Sequence, residues 1–330
     1  MMSEAILDDI RSRLQTGTHP LLAHESNTPL WTPPIRQAYA ACKLCILQRR
    51  SFYISEVTGE GKTSLLRALS AQLPSDFGGS LATLDYSAAN REVPSIRAFF
   101  IEVLWSIDHP KLSGETPRLK VRVCNSLEVL ASTTLWNMMV LLLDEAQAFL
   151  PEDFGFLKDI HNKLVKRGSS LIVVTCGEDP DLKMKLESMQ SHGPAGACAD
   201  RFGLHRVRLR GYNKESLQAL LHAVDVKTWP KESGCTWAQY FFPKAVAEGY
   251  RFENDLEVFW KSFESLGLVR EIQVGSGVNK KMERYLLSRR IFDALSYFVV
   301  RVADDDFKKG SLEKEYWDAA VAHAAGMMDD

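Results

Sequence analysis

The stretch of sequence that decides the fold is SFYISEVTGEGKTSLLRAL, residues 51–69. An apolar strand pattern leads into a loop with two glycines, and an apolar helical pattern begins at Leu65. A strand, a glycine loop and a helix in this order are typical of a phosphate-binding loop, because backbone N–H groups at the start of the helix face the phosphate oxygens. The stretch therefore predicts a nucleotide-binding core.

The loop residues predict how a nucleotide is held. Lys62 is expected to reach the β- and γ-phosphates, and the hydroxyl of Thr63 to bind Mg²⁺. Glu56 stands where the pattern G-x-x-x-x-G-K-[ST] has its first glycine, so the match is incomplete. A glycine-rich turn without a ligand is the alternative. The candidate binding residues are Thr58, Gly59, Glu60, Gly61, Lys62, Thr63 and Ser64.

A second apolar strand pattern, WNMMVLLLDEAQ at 136–147, ends in two carboxylates. A continuous apolar run is typical of a central parallel strand, whose carboxyl end faces the same edge as the loop. We expect Asp144 to hold Mg²⁺ through water and Glu145 to orient the attacking water. P-loop kinases pass phosphate to a second substrate and need no such glutamate, so the pair favours hydrolysis. A strand end with a solvated turn is the alternative.

Strand and helix patterns alternate from Ile35 to about Gly211, which predicts an α/β core with a five-stranded parallel sheet and helices on both faces. The later segments predict an all-helical lid and C-terminal partner-docking helices. The predicted domains are an N-terminal extension at 1–34, the nucleotide-binding core at 35–211 and the helical part at 212–330. The predicted strands are 51–56, 81–86, 138–143, 170–175 and 204–209.

Composition limits the class of protein. The 330 residues are 45% hydrophobic and 25% charged with a net charge of −2, which is typical of a globular protein and excludes a uniformly basic nucleic-acid binder. No apolar run approaches the length of a bilayer span, so we expect a cytoplasmic protein without membrane contact. The pair Cys42 and Cys45 is the only CxxC, and we interpret it as two reduced thiols of a helix.

The motifs in their order resemble those of AAA+ ATPases: the loop at 60–63, DEAQ at 144–147, Thr175, and DRF at 200–202. Within that class, DEAQ, the compact size and NKESL at 213–217 resemble the transposition regulators TnsC, TniB, IstB and MuB. The resemblance covers residues from about 34 to 260. It implies a homo-oligomeric ring or filament that uses ATP and Mg²⁺, binds double-stranded DNA, recruits a transposase with target-selection proteins, and comes apart on hydrolysis.

The resemblance also implies roles for residues outside the two main motifs. Thr175, predicted to end its strand, would bridge the attacking water and the γ-phosphate. Arg201 would reach into the neighbouring subunit as an arginine finger, with Arg206 as the competitor and a plain surface arginine as the alternative. Arg251, in AEGYRFEND, would approach the γ-phosphate from the lid.

DNA contacts are predicted in PKLSGETPRLKVRV, residues 110–123, from Lys111, Arg118, Lys120 and Arg122. Contacts of this kind bind phosphates with little base preference. The alternative is the solvated face of a helix that begins at Thr116. A second basic group alternates with an apolar stripe that we interpret as core or as a partner interface; it contains Lys280, Lys281, Arg284, Arg289 and Arg290.

Three other functions remain open at this point. One is a helicase-loader or initiator ATPase with the same fold. Another is a defence or signalling ATPase switch with protein partners only. The third is a P-loop kinase that acts on a small molecule.

Overall fold

The computed structural model describes residues 19–22, 30–88, 95–190, 201–203, 205–230, 232–274, 280–304 and 314–327. The chain divides into two compact units, of which one is 35–209 and the other combines 1–34 with 210–330. The predicted N-terminal extension therefore groups with the C-terminal unit. Most of the extension, including its predicted short helix, lies outside the described residues.

The first unit contains a parallel sheet with the strand order β1-β4-β3-β2. The central strand β3, MMVLLLD, is buried along its apolar run, as the continuous apolar pattern predicts. The α/β fold class is confirmed. The strands are β1 (Phe52–Glu56), β2 (Ala82–Ser87), β3 (Met138–Asp144) and β4 (Ser170–Glu178).

The fifth predicted strand, residues 204–209, is present only as an isolated bridge. Arg206 pairs in parallel with Tyr53, whose N–H donates to the carbonyl of His205 at 2.8 Å. At Leu209 the backbone N–H donates to the side chain of Glu56 at 3.3 Å, and not to a strand carbonyl. The expectation of five full strands is therefore corrected to four strands and one bridged segment.

Helices cover both faces of the sheet. Leu141 and Leu143 of β3 lie in a cluster with Phe99, Leu119 and Leu157 from three helices, while the alternate strand residues face the other side. The helices are α1 (Pro33–Leu47), α2 (Lys62–Asp76), α3 (Ile96–Ser106), α4 (Thr116–Ser132), α5 (Pro151–Lys166) and α6 (Asp181–Gln190). They bring the loop residues and the strand ends to the carboxyl edge of the sheet.

The second unit is mostly helical around an aromatic core. The indole of Trp317 stacks on Phe298 with ring centroids 3.7 Å apart, and its N–H donates to Asp255 at 3.1 Å. The apolar stripe beside the second basic group is core, since Leu286 and Ile291 are fully buried. The helices are α7 (Lys214–Val226), α8 (Trp237–Phe241), α9 (Pro243–Ala247), α10 (Leu256–Ser265), α11 (Ser288–Asp304) and α12 (Lys314–Ala324).

One hairpin interrupts this helical unit. Strands β5 (Arg270–Val274) and β6 (Lys281–Tyr285) pair antiparallel, so the expectation of an all-helical region is corrected. Part of the segment predicted to continue the C-terminal helix, KKMERY, forms β6 because its side chains alternate in pairing with β5. No helix among the described residues has the length and apolar character needed to cross a membrane.

His19 anchors a short piece of the N-terminal segment in the second unit. Its ring is fully buried among four aromatic rings, with centroids 4.6–5.2 Å away. The ring Nδ1 accepts from the N–H of Leu21 at 3.1 Å, whose carbonyl accepts from Ser296. Burial lowers the pKa of His19 from 6.5 to about 3. The neutral ring is therefore the form that packs here.

We predict that His19 makes the second unit sensitive to acid. The unfolded chain takes up a proton near pH 6.5, but folded His19 does not until about pH 3. Its stabilising contribution is complete above pH 6.5, and the free energy of unfolding falls below that by up to about 1.4 kcal/mol per pH unit. His19→Leu should remove this slope, as measured by urea unfolding followed through tryptophan fluorescence.

The control is His205→Leu, which replaces an exposed histidine and should leave the slope of the wild-type protein unchanged. Equal pH slopes for the wild type and His19→Leu would contradict this assignment.

Candidate nucleotide site

The phosphate loop lies between β1 and α2 and has the backbone geometry that its glycines predict. Gly59 and Gly61 have φ values of 88° and 92°, in the left-handed region that glycine adopts at no steric cost. Lys62 begins α2 and is largely buried; its ammonium donates to the carbonyls of Glu56 at 2.9 Å and Val57 at 3.1 Å. The loop therefore curls around its own lysine.

Thr63 and Asp144 meet at the carboxyl edge of the sheet. The Thr63 hydroxyl, in the first turn of α2, donates to Oδ2 of Asp144 at the end of β3 over 3.0 Å. The two residues predicted to share a magnesium ion are thus in direct contact. A hydroxyl and a carboxylate are the oxygen ligands that Mg²⁺ prefers.

Glu145 follows Asp144 in a tight, left-handed backbone conformation with φ of 52°. Its N–H donates to Oδ1 of Asp144 at 3.0 Å, and its exposed carboxylate accepts from the amide of Gln147. The turn directs the two acidic side chains to different partners, which agrees with two separate roles.

The loop is also joined to the end of β4. The hydroxyl of Thr58 donates to the carboxylate of Glu178, and the N–H of Glu178 donates to the side chain of Gln147 at 3.1 Å. Neither Gln147 nor Glu178 was predicted as a site residue. Their signal in the sequence was weak, because Gln147 was read as part of a family motif and β4 was expected to end before Glu178.

Glu56 has a structural use that explains why it replaces a glycine. Its backbone lies in β1, which extends to this residue, and its carboxylate is 3.4 Å from the guanidinium of Arg206. Burial raises the pKa of Glu56, and Arg206 and Arg208 oppose that rise. Glu56 therefore connects the bridged segment at 205–209 to β1, while the loop begins one residue later.

The two arginine-finger candidates differ in their surroundings. Arg206 is largely buried and bonds to the carbonyl of Ser55, to Glu56 and to Asp179, all within its own unit. Arg201 is exposed and contacts Asn162 and His161 on α5. Burial, and then the charge of Arg201, lower the pKa of His161 to about 4, so the ring stays neutral beside the guanidinium.

Thr175 lies within β4 and not at its end, which corrects the prediction that the strand stops there. The strand continues for three more residues to Glu178, and Thr175 is fully buried with no hydrogen-bond partner for its hydroxyl among the described residues. The neighbouring Cys176 is nearer the acidic pair: burial first, and then Asp144, raise the pKa of its thiol. A contact between Thr175 and phosphate stays a prediction.

The four predicted DNA contacts do not share one face. Three lie on α4, where a spacing of two residues turns side chains to opposite sides. Lys120 forms an ion pair with Asp159 at 2.7 Å, and Arg122 donates to the carbonyls of Lys111 and Ser113. Arg118 and Lys111 have exposed side chains. The helix does begin at Thr116, as the alternative interpretation expected.

Arg251 lies in the second unit, before a 3₁₀ turn at Phe252–Asp255. Its guanidinium donates to the carbonyl of Tyr250 at 2.6 Å. Its approach to a γ-phosphate stays a prediction. In the second basic group, Arg284 pairs with Glu264 at 2.5 Å and Arg289 with Asp293 at 3.6 Å.

Comparison with known proteins agrees with the geometry. Residues 48–186 match the family model described as AAA domain. No curated protein matches the chain. The fold and this match show that the chain carries an AAA domain, with the α/β architecture of AAA+ P-loop NTPases.

Solved structures share this fold at low sequence identity. The ORC2 protein of Aeropyrum pernix superposes with a TM-score of 0.56 at 13% identity, over 93% of this chain and 72% of that one. A chain of the Drosophila ORC bound to DNA gives 0.51 at 15% identity, over 98% and 68%. A Walker-type ATPase of Pyrococcus abyssi gives 0.50 at 14% identity, over 87% and 71%. These similarities establish the fold alone.

We predict that Arg206 stabilises the first unit and that Arg201 does not. Arg206→Ala leaves the largely buried carboxylate of Glu56 without its cation and should lower the free energy of unfolding by roughly 3 kcal/mol. Arg201→Ala, on the surface, should change it by less than about 0.5 kcal/mol. Urea titrations of the two variants compare them directly, and similar losses for both would contradict this distinction.

Proposed function

We propose that this chain is a Mg²⁺-dependent ATPase whose nucleotide state controls its assembly on duplex DNA, as a regulator of DNA transposition. The observation that carries the ATPase part is the 3.0 Å contact between Thr63 and Asp144, with Glu145 next in the chain and Lys62 at the start of the same helix. A kinase-type transfer has no use for Glu145. The site thus favours hydrolysis by water.

The residues present fit ATP and Mg²⁺. Thr63 and Asp144 place a hydroxyl and a carboxylate oxygen where one ion can be held by both. When bound, Mg²⁺ neutralises charge on the β- and γ-phosphates and orients them. Lys62 exchanges its two backbone carbonyl partners for phosphate oxygens, and the N–H groups of the loop and of the first turn of α2 face the phosphate chain.

Glu145 orients and polarises the water that attacks the γ-phosphate. Its carboxylate is exposed at the carboxyl edge of the sheet, beside the proposed magnesium ligands, where a water molecule has access. Arg201, exposed and attached only through α5 contacts, is the better candidate for a finger that completes a neighbouring subunit's site. A subunit alone then hydrolyses ATP slowly, and assembly raises the rate.

The DNA and transposition parts of the proposal rest on the motif resemblance, above all DEAQ at 144–147 and the order of the motifs. ATP-bound subunits form a ring or filament on double-stranded DNA, a transposase and target-selection proteins are recruited, and hydrolysis releases the assembly. An initiator or helicase loader uses the same fold, and a signalling switch would have protein partners only.

We predict a clear division between two site variants. Lys62→Ala should abolish ATP binding and ATP-dependent assembly, because it removes the cation at the β- and γ-phosphates. Glu145→Gln should retain binding and assembly but lose hydrolysis by about 10²–10⁴-fold, the typical contribution of a general base. Phosphate release, nucleotide binding and sedimentation, each with and without duplex DNA, measure these effects.

The control is Glu152→Gln, which replaces an exposed acid in the first turn of α5 and should behave as wild type. Normal hydrolysis by Glu145→Gln would show that another residue activates water. A wild-type protein that neither responds to DNA nor assembles with ATP would exclude the DNA-regulator part. Stimulation by a replicative helicase and not by a transposase would favour the initiator alternative.

We predict that Arg118 contacts DNA phosphate and that Lys120 does not. Arg118→Ala should weaken binding to duplexes of different sequence equally and reduce the slope of log affinity against log salt by about 0.9 per subunit contact. Lys120→Ala is the matched control, because its ammonium is already paired with Asp159. Fluorescence anisotropy at several salt concentrations measures both slopes, and equal slopes for Arg118→Ala and wild type would remove Arg118 from the DNA surface.

A further inference from the structure

Gln147 lies two residues after the predicted hydrolytic glutamate, in the 3₁₀ turn Ala146–Ala148. Its side-chain amide donates to the carboxylate of Glu145, with Nε2 and Oε2 2.5 Å apart. Glu145 is otherwise exposed and lies at a turn, where a free carboxylate would sample many orientations. A hydrogen bond to a charged group is strong enough to select one of them.

The orientation of the Gln147 amide is fixed from its other side. Its Oε1 accepts from the backbone N–H of Glu178 at 3.1 Å. A flipped amide would direct its NH₂ group at that N–H and its oxygen at the carboxylate, so both contacts would become repulsive. The end of β4 therefore determines that Gln147 presents a donor to Glu145.

The same strand end is joined to the phosphate loop. The side chain of Glu178 accepts from the hydroxyl of Thr58, which is one of the loop residues. A continuous path thus leads from Thr58 through Glu178 and Gln147 to Glu145. The path connects the residues that surround the nucleotide phosphates to the residue that orients the attacking water.

Two further features hold Gln147 in place. The ammonium of Lys185 on α6 donates to the backbone carbonyls of Gln147 and Phe149, the latter at 2.6 Å. Gly177 leaves room for the amide, since a Cβ there would lie 2.4 Å from Gln147 Oε1 and 3.2 Å from its backbone nitrogen. A side chain at 177 and the observed position of Gln147 are therefore mutually exclusive.

We propose that Gln147 is a positioning residue that orients Glu145 and couples this orientation to the phosphate loop through Glu178 and Thr58. The inference rests on the proposed ATPase function and adds the residue that controls its hydrolytic group. Gln147 does not touch the reacting atoms. Its loss should lower the rate of hydrolysis, because misplacement of a catalytic group by about 1 Å costs on the order of 10²-fold.

The test compares kcat with the KM for ATP. Gln147→Leu keeps a side chain of similar size without the amide, and kcat should fall about 10–100-fold while the KM and the affinity for a non-hydrolysable ATP analogue change less than about threefold. Gln48→Leu, the same substitution at an exposed glutamine, should behave as wild type. Far-UV circular dichroism and thermal melting establish that each variant is folded.

Gly177→Ala provides an independent variant that leaves the Gln147 amide intact but displaces it. It should produce the same loss of kcat with little change in nucleotide affinity. The cycle of Gln147→Leu, Thr58→Val and the double variant then tests the path, because coupled residues are not additive. The loss of kcat in the double variant should be clearly smaller than the product of the two single losses.

The outcomes separate this inference from the proposed function. A wild-type protein that hydrolyses ATP while Gln147→Leu and Gly177→Ala keep a normal kcat overturns the positioning role and leaves the ATPase proposal intact. A parallel loss of nucleotide affinity in both variants also overturns it, because it would show a merely structural turn. Absence of hydrolysis by the wild type removes both proposals. If Gln147→Leu does not fold, Gly177→Ala gives the decision.

Discussion

The parallel pairing of β4 between β1 and β3 is the constraint on which the site depends. In this register Glu56 lies opposite Glu178, and Leu143 lies opposite Thr175, so the three strands end at one edge. The phosphate loop, the acidic pair and the Gln147 turn all begin within a few residues of these ends. A slip of one residue in β4 would reverse its buried and exposed sides and separate Glu178 from both Thr58 and Gln147.

The departure from the usual phosphate-loop pattern follows from the same edge. A glycine at 56 would leave the edge of β1 without a side chain that accepts from Leu209 N–H and faces Arg206. With Glu56, the segment at 205–209 is held by one backbone bridge and by side-chain contacts. The curvature of the loop then depends on Gly59 and Gly61, whose left-handed φ values bring Lys62 back towards the carbonyls of the strand end.

The sequence predicts the parts of this structure that depend on local patterns. The apolar run of β3, the glycine loop and the helix after it follow from periodicity and composition, and their order predicts the contact between Thr63 and Asp144. The extent of β4 was underestimated because Cys176 and Gly177 do not carry a strand signal. Gly177 is in the strand for a tertiary reason, namely the space that Gln147 occupies. Partners of this kind cannot be derived from spacing along the chain.

The basic residues illustrate the same limit and constrain how this chain can bind DNA. Of the four predicted contacts, Lys120 is paired with Asp159 and Arg122 holds the loop before α4, which leaves Lys111 and Arg118. Two phosphate contacts give a salt slope of only about −1.8, far too shallow for tight binding by one subunit. The net charge of −2 adds no general attraction. Under the proposed function, useful affinity must therefore come from many subunits acting on one duplex, and control of assembly by ATP becomes control of DNA binding itself.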